Sequence, residues 1–543
     1  MQRSLFIWQP IKVIGLLSMC FAHSALVADD VKTPTHLQRV ERKNNAKALR
    51  DAAALQQFQG GIGNQLANGD EAKYANHIGS FSKGLAHDSK GIVDEKSFQS
   101  MLSALHSGVS ADFDNIILGG ARKLIDPQAA FACALEGCDG WRNITPPAPA
   151  LASAQAAGEM VELYWAALLR DVPFNHYDKS PRASQAIQDI NKLSDFNGPR
   201  VGGVVTAGTL FRGFTPGDLV GPYVSQFLYL PVPSHETTVS QFKNVPVSGT
   251  SNDFLTDVKE FLSVQNGGST GKHIQFTTSQ TFIKDARDLG DYVHLDYAGE
   301  AGVTAAMILR SFGPQALDDN NPYKSNATQE GFITYALIDL LELLALASRE
   351  SMKATWYQKW LVHLRLRPEY FGFLVHQQKT AAASFPVHSD VLNSAAVSKI
   401  FSTFGSYLLP QMYPEGSPNH PSYPAGHATF AGACATILKA FFKEDFVIPN
   451  PVEPNHNNTA LVPSSAVLTI GNELNKLAAN VAIARNLAGV HYRSDALQSL
   501  LLGEKIAISI LNDEGFTKNN TFAGYTLTKF DGTVVTVGAK QTV

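Results

Sequence analysis

The segment KWLVHLRLRPE places two cations, Lys359 and Arg367, eight positions apart, with Pro368 directly after the second. Eight residues of a regular helix turn about 80° beyond two full circles, so the two cations would lie on neighbouring faces. Proline would end this helix at Arg367. The pair could flank one anion, and the alternative interpretation is a solvated basic helix face.

A second segment, HPSYPAGHATF, runs from His420 to Phe430. Pro424 and Gly426 predict a turn immediately before a helix, so the backbone N–H groups of Gly426 and His427 would point outward from a positive helix N-terminus. This geometry binds anions and carries its own imidazole. The alternative is a capping turn whose histidine merely lies at the surface.

The third segment, ARNLAGVHYRSD, contains Arg485 and His491, which would point to different sides of one regular helix. Gly489 can end that helix, after which the chain would start another near His491. Both side chains could then face one pocket, although a buried structural histidine is the alternative for His491.

Together the three segments offer three cations, two histidines and helix-terminal amides. This combination suits a tetrahedral or trigonal-bipyramidal oxyanion such as phosphate or vanadate.

The elements that must position these residues have helical periodicity. Apolar residues recur at threes and fours over 150–170, 253–265, 285–312, 329–366, 425–443 and 464–511, the last too long to be one helix. Residues 525–530 and 533–537 alternate around Asp531-Gly532, which predicts a β-hairpin. Residues 29–125 show little periodicity and predict an irregular arm. We expect a large helical bundle with a small β appendage.

Composition excludes some classes of function. The 543 residues carry 44 Lys+Arg and 48 Asp+Glu, a net charge of -4, so no basic surface for nucleic acid is expected. The most apolar later segment, 335–348, contains Asp339 and Glu342, so no membrane-spanning segment is expected.

The N-terminus is typical of an export signal. Arg3 and Lys12 precede an apolar run, and small residues lead to Ala28, so the mature chain would start near Asp29. We therefore expect an exported protein, periplasmic or secreted. The alternative, a lipid anchor at Cys20, is disfavoured by the bulky Met19.

Two further features leave alternatives open. Cys133 and Cys138 are close enough to pair in an oxidising compartment or to stay reduced. Asp318 and Asp319 could ligate a structural Ca²⁺ or belong to a solvated loop.

The three segments resemble the vanadium-dependent haloperoxidases, which share this pocket with class A acid phosphatases and the type 2 phosphatidic acid phosphatase superfamily. The eight-residue step from Lys359 to Arg367 is similar to the algal-type bromoperoxidases. Further similarity lies in LYWAALLRDVPF, RVGGVVTAGTLFRG and GPYVSQFL. The resemblance implies an all-α fold with two four-helix bundles over 150–543, after an arm at 29–149. The pocket would lie within 356–495 and the C-terminal hairpin within 525–537.

The resemblance also implies a role for each site residue. His491 would be the vanadium ligand, and His427 the acid–base histidine, oriented by Asp296. The other expected contacts to vanadate are Lys359, Arg367, Arg485, the Gly426 N–H and the position of Ala425. Lys359 would also polarise the bound peroxide, and His420 and Trp356 would lie on the halide side.

One position departs from the pattern. The common Pro-Ser-Gly-His reads Pro424-Ala425-Gly426-His427 here, so a hydroxyl donor to the cofactor is absent. A lost hydrogen bond to a charged group costs about 1.5 to 3 kcal/mol. We expect this to affect vanadate affinity, halide range and turnover rather than the class of reaction.

The resemblance implies an enzyme that oxidises bromide or iodide with hydrogen peroxide to hypohalous acid, which halogenates organic acceptors. A homo-oligomer is implied as well. The alternative is an acid phosphatase-like phosphomonoesterase in which His491 forms a phosphohistidine. A third possibility is a non-catalytic oligomeric shell protein that keeps the oxyanion pocket.

Overall fold

The computed structural model describes residues 35–61, 63–518 and 521–541. The expected export signal, Cys20 and the mature terminus at Asp29 lie outside these residues. The chain divides after Gln56 into a small unit and a large unit. None of the described helices is both long and apolar enough to cross a membrane.

The structure is mainly helical. The α-helices are α1 His36–Gln59, α2 Asp70–Lys73, α3 Glu95–Ser107, α4 Ser110–Phe113, α5 Ala154–Leu168, α6 Pro181–Ile190, α7 Val258–Gln265, α8 Ala286–Tyr292, α9 Glu300–Arg310, α10 Leu337–Tyr357, α11 Pro368–Lys379, α12 Ser389–Leu392, α13 Ala395–Phe404, α14 Gly426–Phe441, α15 Ile470–Leu487 and α16 Arg493–Glu514. A π-helical turn, Gln358–His363, continues α10. Short 3₁₀ turns are Pro127–Phe131, Gly140–Arg142, Phe174–His176, Gln226–Leu228, Thr250–Asn252 and Pro314–Ala316.

The strands form four two-stranded antiparallel ribbons in the part of the chain that the structure describes. They are β1 Val232–Ser234 with β2 Thr237–Val239, β3 Lys243–Pro246 with β4 Phe276–Thr281, β5 Val452–Pro454 with β6 Leu461–Pro463, and β7 Tyr525–Thr528 with β8 Val534–Val537. In the last ribbon Tyr525 pairs with Val537 and Thr528 with Val534. This confirms the predicted C-terminal hairpin.

Helix α14 is the centre of the large unit. It packs against α10, α15 and α16, and all of its residues except His427 are buried. Apolar residues occupy all faces of α14, as is typical of a helix that lies inside a core. A second group of helices packs around α5, from α6, α11, α12 and α13. The expected all-α fold is confirmed.

Glycines allow α14 and α16 to touch through their backbones. A Cβ on Gly432 would collide with the Leu500 carbonyl, and a Cβ on Gly503 would collide with the Thr429 carbonyl. Only glycine leaves room for this approach.

Several predicted helices differ from the observed ones. The predicted helix 285–312 breaks into α8 and α9, because Gly299 adopts a left-handed φ of 92° before α9. The stretch 464–511 divides into α15 and α16 with Gly489 at φ 88° between them, which confirms the break predicted at this glycine. The prediction that Pro368 ends the helix of Lys359 is wrong. The regular helix ends at Tyr357, and Pro368 is the first residue of α11, where proline is favoured.

The stretch predicted as an irregular arm contains α1 to α4. Helix α1 buries none of its residues, so no apolar stripe marks it, although Ala, Leu, Lys, Arg and Gln favour helix. Farther along, Phe81, Leu85 and Met101 pack in one cluster with Trp356 and Trp360. Residues 78–130 therefore cover the face of α10 that leads into the π turn. The domain boundary at 150 stays a prediction.

Candidate oxyanion site

Lys359 lies on the π turn, a local widening of the helix that is frequent at functional sites. Its Nζ donates to the carbonyls of Pro421 and Ser422 at 2.5 and 2.9 Å. The side chain is fully buried, and burial, together with the Arg367 charge, holds the pKa of Lys359 well below its usual range. Lys359 therefore joins the π turn to the segment before α14.

Arg367 is the N-cap residue of α11 and is also buried. Its Nη1 donates to the Val490 carbonyl at 2.8 Å and to His491 Nε2 at 3.0 Å, and its Nη2 donates to His420 Nδ1 at 3.0 Å. Burial lowers the pKa of Arg367 to about 9, and the charge of Arg485 acts in the same direction. Arg367 thus connects both predicted histidine segments.

His491 lies just before α16, and its ring is oriented by Asp495 one helical turn later. His491 Nδ1 donates to Asp495 Oδ2 at 2.9 Å, so Nε2 keeps a lone pair. Burial and the Arg367 charge hold the pKa of His491 well below its usual range. Although burial alone would raise it, the Arg365 guanidinium holds the pKa of Asp495 well below its usual value. His491 is therefore a neutral imidazole whose acceptor nitrogen, Nε2, faces the Arg367 guanidinium.

Arg485 lies in the last turn of α15 and is 3% exposed. Its Nη1 donates to the Val293 carbonyl at 2.6 Å and to the Tyr413 hydroxyl at 3.3 Å. Its Nε is buried and has no partner among the described residues. A buried N–H of a charged group without an acceptor is costly, so this atom indicates a place for an anion.

His427 is the second residue of α14, and its Nε2 donates to Asp296 Oδ1 at 2.8 Å. Asp296 lies in the loop between α8 and α9, so the break in the predicted helix brings the carboxylate to this ring. The proton on Nε2 leaves Nδ1 with a lone pair. The His427 side chain is 23% exposed, yet its partial desolvation and the Arg485 charge lower the pKa of His427, which keeps the ring neutral and able to accept a proton.

The N-terminus of α14 has no side-chain cap, because its N-cap residue is Ala425. The Ala425 N–H donates to Ser499 Oγ at 2.6 Å. The first N–H groups of α14, starting with Gly426, are thus left for a ligand at the positive end of the helix dipole.

His420 and Trp356 are neighbours, with ring centroids 4.8 Å apart. Trp356 Nε1 donates to the Ile125 carbonyl at 3.2 Å, so the indole is held by the segment before α5. Burial, followed by the Lys359 and Arg367 charges, holds the pKa of His420 well below its usual range. The two rings form an uncharged aromatic wall beside the basic side chains.

Three buried basic side chains thus lie close to one another: Arg367 contacts His491, and the charge of Arg485 acts on both Lys359 and Arg367, while Asp495 offsets only part of this charge. The unpartnered Arg485 Nε and the uncapped N-terminus of α14 add two donors, and His491 Nε2, which accepts only from Arg367 among the described residues, adds one possible ligand atom. This set of residues fits a tetrahedral oxyanion with a metal centre that accepts one nitrogen ligand.

Sequence reasoning named the cations and histidines of this site but gave no role to Asp495, Ser422 or Ser499. The four-residue step from His491 to Asp495 is a usable signal, since it joins one turn of a helix. Ser422 donates to Asp495 Oδ2, and Ser499 fixes the Ala425 N–H; no spacing in the sequence indicates these contacts.

A cavity of about 850 Å³ opens beside the site. Its lining includes Asp296, Tyr292, His294, Glu415 and Arg122. This volume would admit a small organic molecule.

The structure also describes the two cysteines and the aspartate loop for which the sequence left alternatives open. Cys133 and Cys138 are free thiols, and Asn143 Nδ2 donates to Cys138 Sγ at 3.0 Å. Asp319 pairs with Lys324 at 2.7 Å and Lys443 at 3.0 Å. Within 35–61, 63–518 and 521–541, no group of three or more His, Cys, Asp or Glu could hold a metal ion.

Known proteins match this chain over almost its whole length. The family model for the VCPO second helical-bundle domain matches residues 339–514. The vanadium-dependent bromoperoxidase of Corallina officinalis is 35% identical over 597 aligned positions, covering 91% of this chain and 99% of that protein. The enzyme of the same name from Ascophyllum nodosum is 32% identical over 525 positions, covering 91% of this chain and 92% of that protein.

The fold of this chain is also similar to that of a solved bromoperoxidase structure. The homohexameric structure of the second vanadate-dependent bromoperoxidase from Ascophyllum nodosum has a TM-score of 0.87 and 28% identity to this chain. The match covers 99% of this chain and 94% of that one. From identity above 30% across nine-tenths of its length, the chain belongs to the vanadium-dependent bromoperoxidase family.

Proposed function

We propose that the oxyanion site binds vanadate and uses hydrogen peroxide to oxidise bromide or iodide to hypohalous acid, which halogenates organic acceptors. The observation that carries this proposal is the neutral His491 ring: Asp495 accepts from its Nδ1, and its Nε2 lone pair faces the buried Arg367 guanidinium, close to the buried Lys359. Bound vanadate supplies a Lewis-acidic centre that activates peroxide without changing its own oxidation state.

His491 Nε2 would be the metal ligand, and Lys359, Arg367 and Arg485 would bind the oxygens. The Gly426 N–H adds a donor at the helix N-terminus. Because these donors are already fixed by protein partners, little reorganisation is needed when charge develops during the reaction. When protonated, Lys359 has one N–H beyond its two carbonyl contacts, and this N–H would donate to the activated peroxide.

His427 accepts the proton that hydrogen peroxide loses in the reaction. Its neutral Nδ1 accepts a proton from incoming hydrogen peroxide, and the Asp296 carboxylate holds the ring and stabilises the imidazolium that forms. His420 and Trp356 form the halide side of the site, where an uncharged wall favours a large, weakly hydrated anion.

A phosphomonoesterase would use the same cations with His491 as nucleophile. The 35% sequence identity to a bromoperoxidase, over 91% of this chain, favours haloperoxidase activity over phosphomonoesterase activity.

We also propose that the protein is exported, from the pattern of residues 1–28, and forms a homo-oligomer. The homohexameric structural relative supports the second part. Mass measurement of the intact assembly and N-terminal sequencing of the mature protein test these two points.

The decisive experiment is vanadate reconstitution of the apo protein followed by parallel assays with bromide, iodide, chloride and a phosphate ester. We expect bromide and iodide oxidation that depends on vanadate and peroxide. Phosphate-ester hydrolysis without halide oxidation would overturn the proposal.

A further inference from the structure

Tyr413 lies directly behind Arg485, in the segment between α13 and α14. The Tyr413 hydroxyl donates to the Gly290 carbonyl at 2.7 Å and accepts from Arg485 Nη1 at 3.3 Å. The guanidinium carbon lies 5.2 Å from the centre of the phenol ring. Burial raises the pKa of Tyr413 to about 12, so the hydroxyl stays protonated.

This contact limits how Arg485 can turn. Nη1 is held by the Tyr413 hydroxyl and the Val293 carbonyl, whereas Nε is buried without a partner in the described part of the chain. A guanidinium is planar, so fixing Nη1 fixes the direction of the Nε edge. The edge left free is the one available to an oxyanion.

The other face of Tyr413 is covered from the cavity side. The His294 ring stacks on Tyr413 with centroids 3.9 Å apart and planes 3° from parallel. His294 Nε2 lies 2.8 Å from Glu415 Oε1. Glu415, His294, Tyr413 and Arg485 therefore form one continuous series of contacts from the cavity wall to the buried cation.

We propose that Tyr413 is a positioning residue, which holds Arg485 Nη1 through its hydroxyl so that the Nε edge faces the bound oxyanion. The His294–Glu415 pair keeps the phenol ring in place from the cavity side. The proposal rests on the proposed function, since it assigns the direction of one cation toward the same oxyanion.

Tyr413→Phe tests this directly, because it keeps the ring and removes only the hydroxyl. Calorimetric titration of the apo protein with vanadate and with inorganic phosphate needs neither peroxide nor halide. We expect both affinities to fall about three- to tenfold, as for one lost hydrogen bond. Tyr164→Phe is the matched control, since the buried Tyr164 hydroxyl donates to the Tyr407 carbonyl at 2.7 Å, away from the site.

A double-mutant cycle separates positioning from general packing. In an Arg485→Ala background, Tyr413→Phe should cause no further loss of affinity, because the group that it positions is gone. His294→Phe, which keeps the stack, should retain affinity, whereas His294→Ala should lower it.

Unchanged affinity in Tyr413→Phe, an equal loss in Tyr164→Phe, or a full additional loss in the Arg485→Ala background would overturn this inference alone. If wild-type protein binds neither anion, the proposed function fails together with it.

Discussion

Asp495 decides which nitrogen of His491 can bind a metal. Its Oδ2 accepts from Nδ1, and its Oδ1 pairs with Arg365 at 2.6 Å. The sequence shows His491 and Asp495 one helical turn apart, yet a helix-start aspartate is also typical of capping, which it provides here as well. Residue types therefore predict the ligand atoms of the site, but not the partners that orient them.

Replacing His491 by Ala should abolish vanadate-dependent bromide oxidation and leave the fold intact, because the change removes the proposed metal ligand. Vanadate titration, bromide kinetics and thermal unfolding check this. His388→Ala, a partly exposed histidine outside the site, is the control. Near wild-type activity in a folded His491→Ala protein would contradict the assignment.

Ala425→Ser should restore the missing donor. At an N-cap position the new hydroxyl can accept from a free N–H of α14 and donate its own proton to a cofactor oxygen. We expect vanadate affinity or bromide turnover to rise by up to about tenfold.

The same substitution distinguishes two outcomes. If the serine only caps the helix, apo stability rises by about 1 kcal/mol while affinity and turnover stay unchanged. Vanadate titration and chemical unfolding of both proteins separate these cases. Equal affinity with unchanged or lower turnover would refute the account of a missing donor.

The halide range should favour bromide and iodide over chloride. His420 and Trp356 form an uncharged wall, and Ala425 offers no hydroxyl, so the peroxide is activated less strongly. Initial rates with the three halides at matched pH and peroxide check this. Chloride oxidation as fast as bromide oxidation would count against the ranking.

At the scale of elements, periodicity predicts the helices of the bundle but not two interruptions that matter for the site. The π turn of Lys359 keeps an apolar pattern that looks helical, so only the geometry separates it from α10. In the sequence, Gly299 is the only residue that indicates the loop carrying Asp296. Both interruptions bring into the site a side chain that a continuous helix would direct elsewhere.

The segment before α5 fixes the loop that carries His420. Lys83 Nζ donates to Glu369 Oε1 at 2.6 Å and to the carbonyls of Glu415 and Ser417 at 2.8 and 2.6 Å. Lys83 and Glu369 are both almost fully buried. This ion pair joins the N-terminal stretch, α11 and the loop before α14.

Lys83→Met should destabilise the protein by about 3 to 5 kcal/mol, because it leaves the Glu369 carboxylate buried and unpaired. Vanadate affinity should fall as well, since the loop loses its anchor. Chemical unfolding and vanadate titration measure the two effects. Lys83→Met with Glu369→Gln should recover part of the stability, and a wild-type midpoint in the single variant would contradict the role of the pair.

At the scale of the whole molecule, the core contains the three basic side chains of the oxyanion site, Lys359, Arg367 and Arg485. The carboxylate of Asp495 neutralises only part of their charge. An oxyanion that binds only the folded protein should therefore raise its melting temperature. At about 100 times its dissociation constant, such a ligand adds about 2.7 kcal/mol. Calorimetric scans with vanadate and with phosphate at constant ionic strength should show a rise of a few degrees, and His491→Ala should lose most of the vanadate effect. A melting temperature that does not change at saturating vanadate would contradict an anion site in the core.

The contact of α14 with α16 at Gly432 and Gly503 has a consequence for selectivity. Because the two backbones touch, these helices cannot part or slide without losing that fit. His427 lies at the start of α14 and His491 just before α16. The packing of these two helices therefore fixes the distance between the backbones that carry the two rings. We therefore expect the proposed site to discriminate between anions by size, and we expect changes in substrate preference to arise in the cavity wall, where side chains can change without moving the two helices.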